Sequence, residues 1–193
     1  PLWRPLLAAS VSERRATSVI LGPALDGTAL LALSHALGDG VTIQVFPRKG
    51  VHIDLNERVR APSTLRHLRI KVTGLSAGAE YRLDVFRKGK KVDSRKFSTL
   101  RFRENTPLRV ALISCMDDFY EDIQKDMWGQ VQGLKPDALF LIGDNVYADR
   151  RGGKKLEEPG LDMVFQRYEE TRLALDLFQQ ERLIPVFSTW DDH

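Results

Sequence analysis

With one cysteine among 193 residues, this chain cannot close a disulfide on itself, so its stability must come from packing. Cys115 is therefore core filler, a reactive thiol or a metal ligand, since free cysteine is both commonly buried and chemically versatile. Long apolar runs are missing too. None approaches the ~18 residues a membrane crossing needs, and the first ten residues lack the charged, apolar and small-residue order of a signal peptide. Because the chain begins at Pro1, a leader could have been removed, and the compartment stays open. One-signed charge is also lacking. The 29 basic and 26 acidic residues are interspersed, giving a net charge of +3 and a pI of about 9.1. That bias suits an anionic substrate without building a steering field, and no nucleic-acid reading motif accompanies it. No internal repeat or low-complexity tract is present. The remaining composition, 42% hydrophobic and 28% charged, is that of an ordinary globular protein.

What the chain does have falls into two regions of different periodicity. From about residue 15 to 103 the pattern is all-β. Val41 to Phe46, His67 to Val72 and Tyr81 to Phe86 each alternate apolar and polar residues, the period of half-buried strands. Gly38-Asp39-Gly40, Gly74, Gly78 and Lys88-Gly89-Lys90 mark turns between them. The stretch from Val72 through Leu75 to Tyr81 resembles a corner of fibronectin type III and related sandwiches. There a leucine caps the core, and a tyrosine packs inward while its hydroxyl bonds to backbone a few residues upstream. Residues 1–105 are thus expected to be an N-terminal β-sandwich with an N-terminal extension. His35, His52 and His67 fall in this region without metal-ligand spacing and are expected as surface or strand histidines.

Near Glu104-Asn105-Thr106-Pro107 the pattern changes. Continuous apolar runs, Arg109 to Ile113, Ala138 to Ile142 and Leu183 to Phe187, read as buried parallel strands. Between them, Tyr120, Ile123, Met127, Val131 and Leu134 recur at helical spacing, as do Leu161, Val164, Phe165, Tyr168, Leu175 and Phe178. The order is βαβαβ, so residues 106–193 are expected to be α/β with parallel strands.

Each apolar run ends in residues able to hold metal: Ser114-Cys115, then Gly143-Asp144-Asn145-Val146-Tyr147, then Trp190-Asp191-Asp192-His193. Open parallel sheets bind ligands at the carboxyl ends of their strands, which gathers these groups on one edge. A glycine before Asp144 permits a sharp turn, and a carboxylate with two oxygens is able to bridge two cations. Tyr147 would lie on the same side of that turn. Its hard phenolate together with the soft thiolate of Cys115 suits iron better than magnesium. The loop from Ala148 to Gly160, carrying Arg150, Arg151, Lys154 and Lys155, is expected to be a solvated flexible loop, the alternative being that it gathers anionic substrate.

These three segments resemble the alkaline phosphatase D (PhoD-like) branch of the metallophosphoesterase superfamily. In that branch Ser-Cys ends the first strand, Gly-Asp with a tyrosine three residues on ends the second, and Trp-Asp-Asp-His follows the third. The resemblance implies that Cys115, Asp144 and Tyr147 hold one metal, that Asp144 is shared, and that Asp192 serves the second. His193 corresponds to the histidine that contacts phosphate and protonates the leaving oxygen. Asn145 and Arg150 are carried as substrate-binding candidates. Asn145 stands where the branch often has an aromatic residue. The implied cofactors are two metal ions, Fe3+ with Ca2+ or another divalent ion such as Zn2+ or Mn2+. The implied function is hydrolysis of a small-molecule phosphoester, mono- or diester, by a metal-bridging hydroxide. Secretion or a periplasmic location follows from the resemblance alone. A catalytic domain of this kind needs strands beyond His193, so the chain is expected to be part of a longer enzyme and inactive by itself. The competing reading is a non-catalytic binding module, a sandwich joined to a degenerate α/β half-domain.

Overall fold

The computed structural model describes residues 17–25, 27–59, 65–101, 105–151, 154–157 and 160–189. It is mostly β, with several sheets and few helices. Seven strands come first: β1 (Thr17–Leu25), β2 (Thr28–His35), β3 (Val41–Phe46), β4 (His52–Val59), β5 (Arg66–Thr73), β6 (Glu80–Arg87) and β7 (Lys90–Ser98). They pair antiparallel into two sheets, one ordered β1-β2-β5-β4 and the other containing β7-β6-β3. Alternation decides which side chains face inward. In β5, Leu68, Ile70 and Val72 are buried while Arg69 and Lys71 are exposed. They join Val19, Leu21 and Leu33 from their own sheet and Val45, Leu83, Val85 and Phe97 from the other in one core. Each such side chain contributes about 1.5–3 kcal/mol through burial.

The tyrosine expectation is met. Tyr81 packs against Phe97 with ring centroids 5.6 Å apart, and its hydroxyl accepts the Ser76 backbone N–H at 2.7 Å. The turn beside it admits only glycine at Gly74, whose φ is 78° and where a Cβ would overlap the Gly50 carbonyl oxygen.

The second region contains β8 (Val110–Ile113), α1 (Glu121–Gly133), β9 (Ala138–Leu141), a hairpin of β10 (Arg150–Arg151) and β11 (Lys154–Lys155), α2 (Leu161–Ala174), β12 (Arg182–Leu183) and β13 (Val186–Ser188). β13, β9 and β8 form a parallel three-stranded sheet in that order, as the βαβαβ pattern requires. Ile113, Leu139 and Leu141 pack with Trp128 from α1 and with Leu175, Leu177 and Phe178 from the chain after α2. On the other face Val110, Leu112, Phe140 and Ile142 are exposed, and Phe140 stacks on Phe187 at 5.0 Å.

Several expectations are corrected. The run from Leu183 to Phe187 is two strands. Leu183 enters the sandwich core through β12, which pairs parallel to β7, and only Val186–Ser188 joins β9. Pro185 lies between them and has no N–H with which to continue a ladder. The helical stripes also shift. In α1, Gln124 and Trp128 are buried while Ile123 is exposed, and Leu134 just beyond its end is exposed as well. In α2 the buried residues are Arg167 and Thr171, with Leu161 and Phe165 exposed. The four basic residues after Ala148 are exposed, as expected, and pair as a hairpin, Arg150 with Lys155 and Arg151 with Lys154. Of the two places expected for His35, surface or strand, it takes the second, fully buried at the end of β2.

The two regions share contacts. β1 lies between both cores, with Val19 and Leu21 in one and Ile20 packed against the other. His67 of β5 bridges Ser34 Oγ at 2.9 Å and Glu169 of α2 at 3.0 Å, and buried Arg95 donates to the Gln180 carbonyl at 2.6 Å. No helix among the described residues is long and apolar enough to cross a membrane.

Candidate functional site

The chemistry gathers where β8 and β9 end. Their hydrogen bonding does not stop with the strands: Ile142 N–H reaches the Ile113 carbonyl at 2.9 Å, Cys115 N–H the Gly143 carbonyl at 3.3 Å, and Met116 N–H the Asp144 carbonyl at 2.9 Å. Buried Met116 anchors the first loop in the core, and the Gln124 amide holds the Cys115 carbonyl at 3.2 Å. This zipper imposes a cost. Cys115 has a φ of 61° and Asp144 a φ of 50°, both left-handed, and Gly143 before the latter has a φ of 144°. A non-glycine residue in that region costs about 1–2 kcal/mol, and such conformations cluster at functional sites.

The strained backbone brings three side chains together. Tyr147 Oη donates to Asp144 Oδ2 at 2.9 Å, and Cys115 Sγ lies 3.6 Å from the same oxygen. Ser114 Oγ is 3.4 Å from Cys115 Sγ. The thiol is exposed, not turned into apolar packing. Tyr147 is buried, and that burial, then its bond to Asp144 and its contact with Cys115, push the phenol well above its ordinary range. The phenol is thus a proton donor here. Asp144 Oδ1, the other carboxylate oxygen, is buried and has no hydrogen-bond partner among the described residues.

Asn145 and Arg150 flank this cluster. The Asn145 amide donates to the Thr189 carbonyl at 2.7 Å, and Thr189 N–H reaches the Leu141 carbonyl at 3.0 Å. The end of β13 is thereby fastened beside the Gly-Asp turn. Arg150 places its guanidinium 5.1 Å from the centre of the Tyr147 ring and 3.9 Å from Asp117 Oδ2. Asp192 and His193 lie outside the described residues.

As a metal set, the residues present fit. A thiol and a phenol both lie against one carboxylate oxygen, where a cation would take the place of their hydrogen bonds, and the buried Oδ1 has no partner among the described residues. Among the described residues no group of three His, Cys, Asp or Glu side chains meets around one point, so the third donor here is a phenol. Sequence reasoning missed Arg167 and Asp118, which lie directly behind the cluster, Arg167 donating to both the Tyr147 carbonyl and Asp118. Neither carried a local signal: Arg167 is a polar residue within a stretch that reads as an amphipathic helix, and Asp118 precedes another.

No family model matches the chain, and no curated protein matches it. Among solved structures it is similar to one described as the structure of PhoD, with a TM-score of 0.57 and 17% identity, over 91% of this chain and 38% of that chain. At that identity the likeness shows the fold, which is PhoD-like over the matched span. The chain therefore spans well under half the length of the structure it matches. A glycosyl hydrolase family 2 member from Bacteroides cellulosilyticus aligns at a TM-score of 0.28 and 10% identity, over 90% of this chain and 24% of that one, too low to carry an argument.

Proposed function

We propose that this chain carries the first part of the active site of a metal-dependent phosphoester hydrolase of the PhoD-like kind. In this reading residues 1–105 are a fibronectin- or immunoglobulin-like sandwich, and residues 106–193 begin the metallophosphoesterase domain. The strand order β1-β2-β5-β4 facing β3-β6-β7 supports the first assignment, being the constant-type immunoglobulin order. The observation that carries the functional reading is the convergence of Cys115 Sγ and Tyr147 Oη on Asp144 Oδ2, with both Cys115 and Asp144 held in left-handed backbone.

Cys115, Asp144 and Tyr147 would hold one cation, Fe3+ by the mixture of thiolate and phenolate. Asp144 would be shared with a second, Ca2+, Zn2+ or Mn2+, that Asp192 helps to bind. The chemistry such a pair supplies is Lewis acidity, readying water for in-line attack at phosphorus and offsetting charge on the phosphoryl oxygens. The chain's own groups do the rest. Cys115 and Tyr147 would serve that cation as thiolate and phenolate, any protons passing to solvent as it binds. Arg150, over the Tyr147 ring, offers its guanidinium to a phosphate oxygen. Asn145 holds Thr189, at the end of β13, beside the cluster, and His193 would be the proton donor to the leaving oxygen.

The test is metal content, visible absorption, and hydrolysis of nitrophenyl phosphate mono- and diesters by the protein in its full length, before and after chelation. Expected are iron with a visible thiolate or phenolate band, hydrolysis lost on chelation, and loss of the band in Cys115→Ser and Tyr147→Phe. Hydrolysis indifferent to chelator, or no hydrolysis and no bound metal, defeats the reading and leaves the binding module.

A further inference from the structure

Behind the cluster lies a charged side chain that the sequence reading placed on an ordinary amphipathic helix. Arg167 of α2 is 4% exposed. Its three nitrogens reach three acceptors: Nε donates to the Tyr147 carbonyl at 3.3 Å, Nη1 to Glu170 Oε2 at 2.5 Å, and Nη2 to Asp118 Oδ1. Asp118 Oδ2 also accepts the Thr171 hydroxyl at 3.1 Å, and Glu170 is paired outward with Arg151 of the hairpin. Burying a guanidinium is tolerated when it is paired and its donors are used, and all three directions of this fork are used.

The acceptors are not scattered. One is the backbone of Tyr147, and another begins the 3-10 turn that follows the Cys115 loop, whose carbonyl is held by Gln124. Arg167 therefore joins the two segments that carry the thiol and the phenol and fixes both to one rigid helix. We infer that Arg167 is a positioning residue, acting through the Tyr147 carbonyl and the Asp118 carboxylate to keep Tyr147 Oη and Cys115 Sγ directed at Asp144. This inference rests on the reading of those three as metal ligands, because only then does their spacing have a function. Groups one step removed from a metal typically tune its affinity ten- to a hundredfold. A lysine cannot replace the fork, since it reaches at most one or two of the three acceptors from a single point.

The experiment compares the full chain with Arg167→Lys and with the double variant Arg167→Met/Asp118→Asn, which leaves no unpaired carboxylate at position 118. Three quantities are read: Fe3+ affinity, the visible band, and, in metal-free protein, the rate at which iodoacetamide alkylates Cys115, followed by peptide mass. Expected in the double variant are a ten- to hundredfold weaker affinity, a displaced band and a several-fold change in alkylation rate, with unfolding still cooperative. Arg167→Lys should fall between it and the parent. Unchanged affinity, band and alkylation rate in a cooperatively folded double variant overturn the inference. Should the double variant lose cooperative folding, Arg167→Lys decides by the same three readings. If the parent binds no metal, the hydrolase reading fails separately, and the alkylation rate alone decides whether Arg167 positions Cys115.

Discussion

The sandwich and the parallel sheet solve the same problem in opposite ways. The first encloses its apolar side chains between two sheets: Phe97, Leu83 and Val85 are 0% exposed. The second covers one face and leaves the other open, so that Leu112, in the same strand as buried Ile113, is 67% exposed. Backbone strain divides along the same line. Turns in the sandwich take positive φ mostly at glycine, as at Gly27, Gly38 and Gly74, whereas Cys115 and Asp144 accept it at the strand ends of the parallel sheet. On the proposed function, the difference gives stability to one region and chemistry to the other. A strained, partly open edge costs free energy, and the sandwich supplies the surplus.

The largest effect tests that division directly. Phe97→Ala should lower the unfolding free energy by about 3–5 kcal/mol, as large-to-small changes in a closed core do. Leu112→Ala should change it by no more than about 0.5 kcal/mol in this chain, because the side chain already meets solvent. Urea denaturation of both measures the contrast, and a loss at Leu112 comparable to that at Phe97 breaks it. A smaller effect sharpens the picture inside the sandwich. Tyr81→Phe keeps the ring on Phe97 but leaves the Ser76 N–H without its acceptor, a loss of about 1 kcal/mol by the same measurement.

Smaller again, and opposite in sign, is the response of the strained edge. Cys115→Gly removes a left-handed penalty of about 1–2 kcal/mol and adds about 0.5–1 kcal/mol of backbone entropy cost, for a net gain between about 0 and 1.5 kcal/mol. The same change should abolish binding of a thiolate-ligated metal. Greater stability bought with lost metal is the signature of strain kept for function. A Cys115→Gly chain that is less stable in denaturant, while metal is absent, would show the conformation to be no burden.

Much of this was legible in the chain. Alternation placed β3 at Val41–Phe46 and lies within the bounds of β5 and β6, because one face of each strand meets the core and the other meets water. Strand-end chemistry brought Cys115, Asp144 and Tyr147 together, because parallel neighbours end on the same edge. What stayed hidden were residues whose surroundings come from distant segments. Leu183 reads as the start of one strand but fills another region's core. Arg167, Arg95 and Thr171 are polar in every propensity scale, yet are buried with acceptors far away in sequence, Asp118 for Arg167 and Thr171 and the Gln180 carbonyl for Arg95. Ile123 and Leu161 read as core and are exposed, because the stripes of α1 and α2 were assigned from spacing without knowing which face meets the sheet.

His35 belongs with the hidden residues and gives the mildest prediction. It sits at the end of β2, 0% exposed, with Nδ1 accepting the Leu37 N–H at 3.2 Å and Nε2 lacking any partner among the described residues. An Nδ1 acceptor requires the neutral ring with its proton on Nε2. Burial first of all lowers its pKa from the ordinary 6.5. Glu57 opposes that shift, while Arg66 and His67 reinforce it. The sign follows from proton counting. Below about pH 6.5 the unfolded chain binds a proton that the folded chain refuses, so stability falls as pH falls, until the pH drops below the lowered folded value. The contribution is complete above 6.5, and its slope is bounded at about 1.4 kcal/mol per pH unit, one proton's worth. His35→Asn keeps an acceptor for Leu37 and cannot titrate, so unfolding curves of the two chains should converge toward acid and separate toward neutral pH. Parallel curves from pH 5 to 8 would mean that the buried ring takes up its proton as readily as a free one, and that this end of the sandwich is more open to water than its packing indicates.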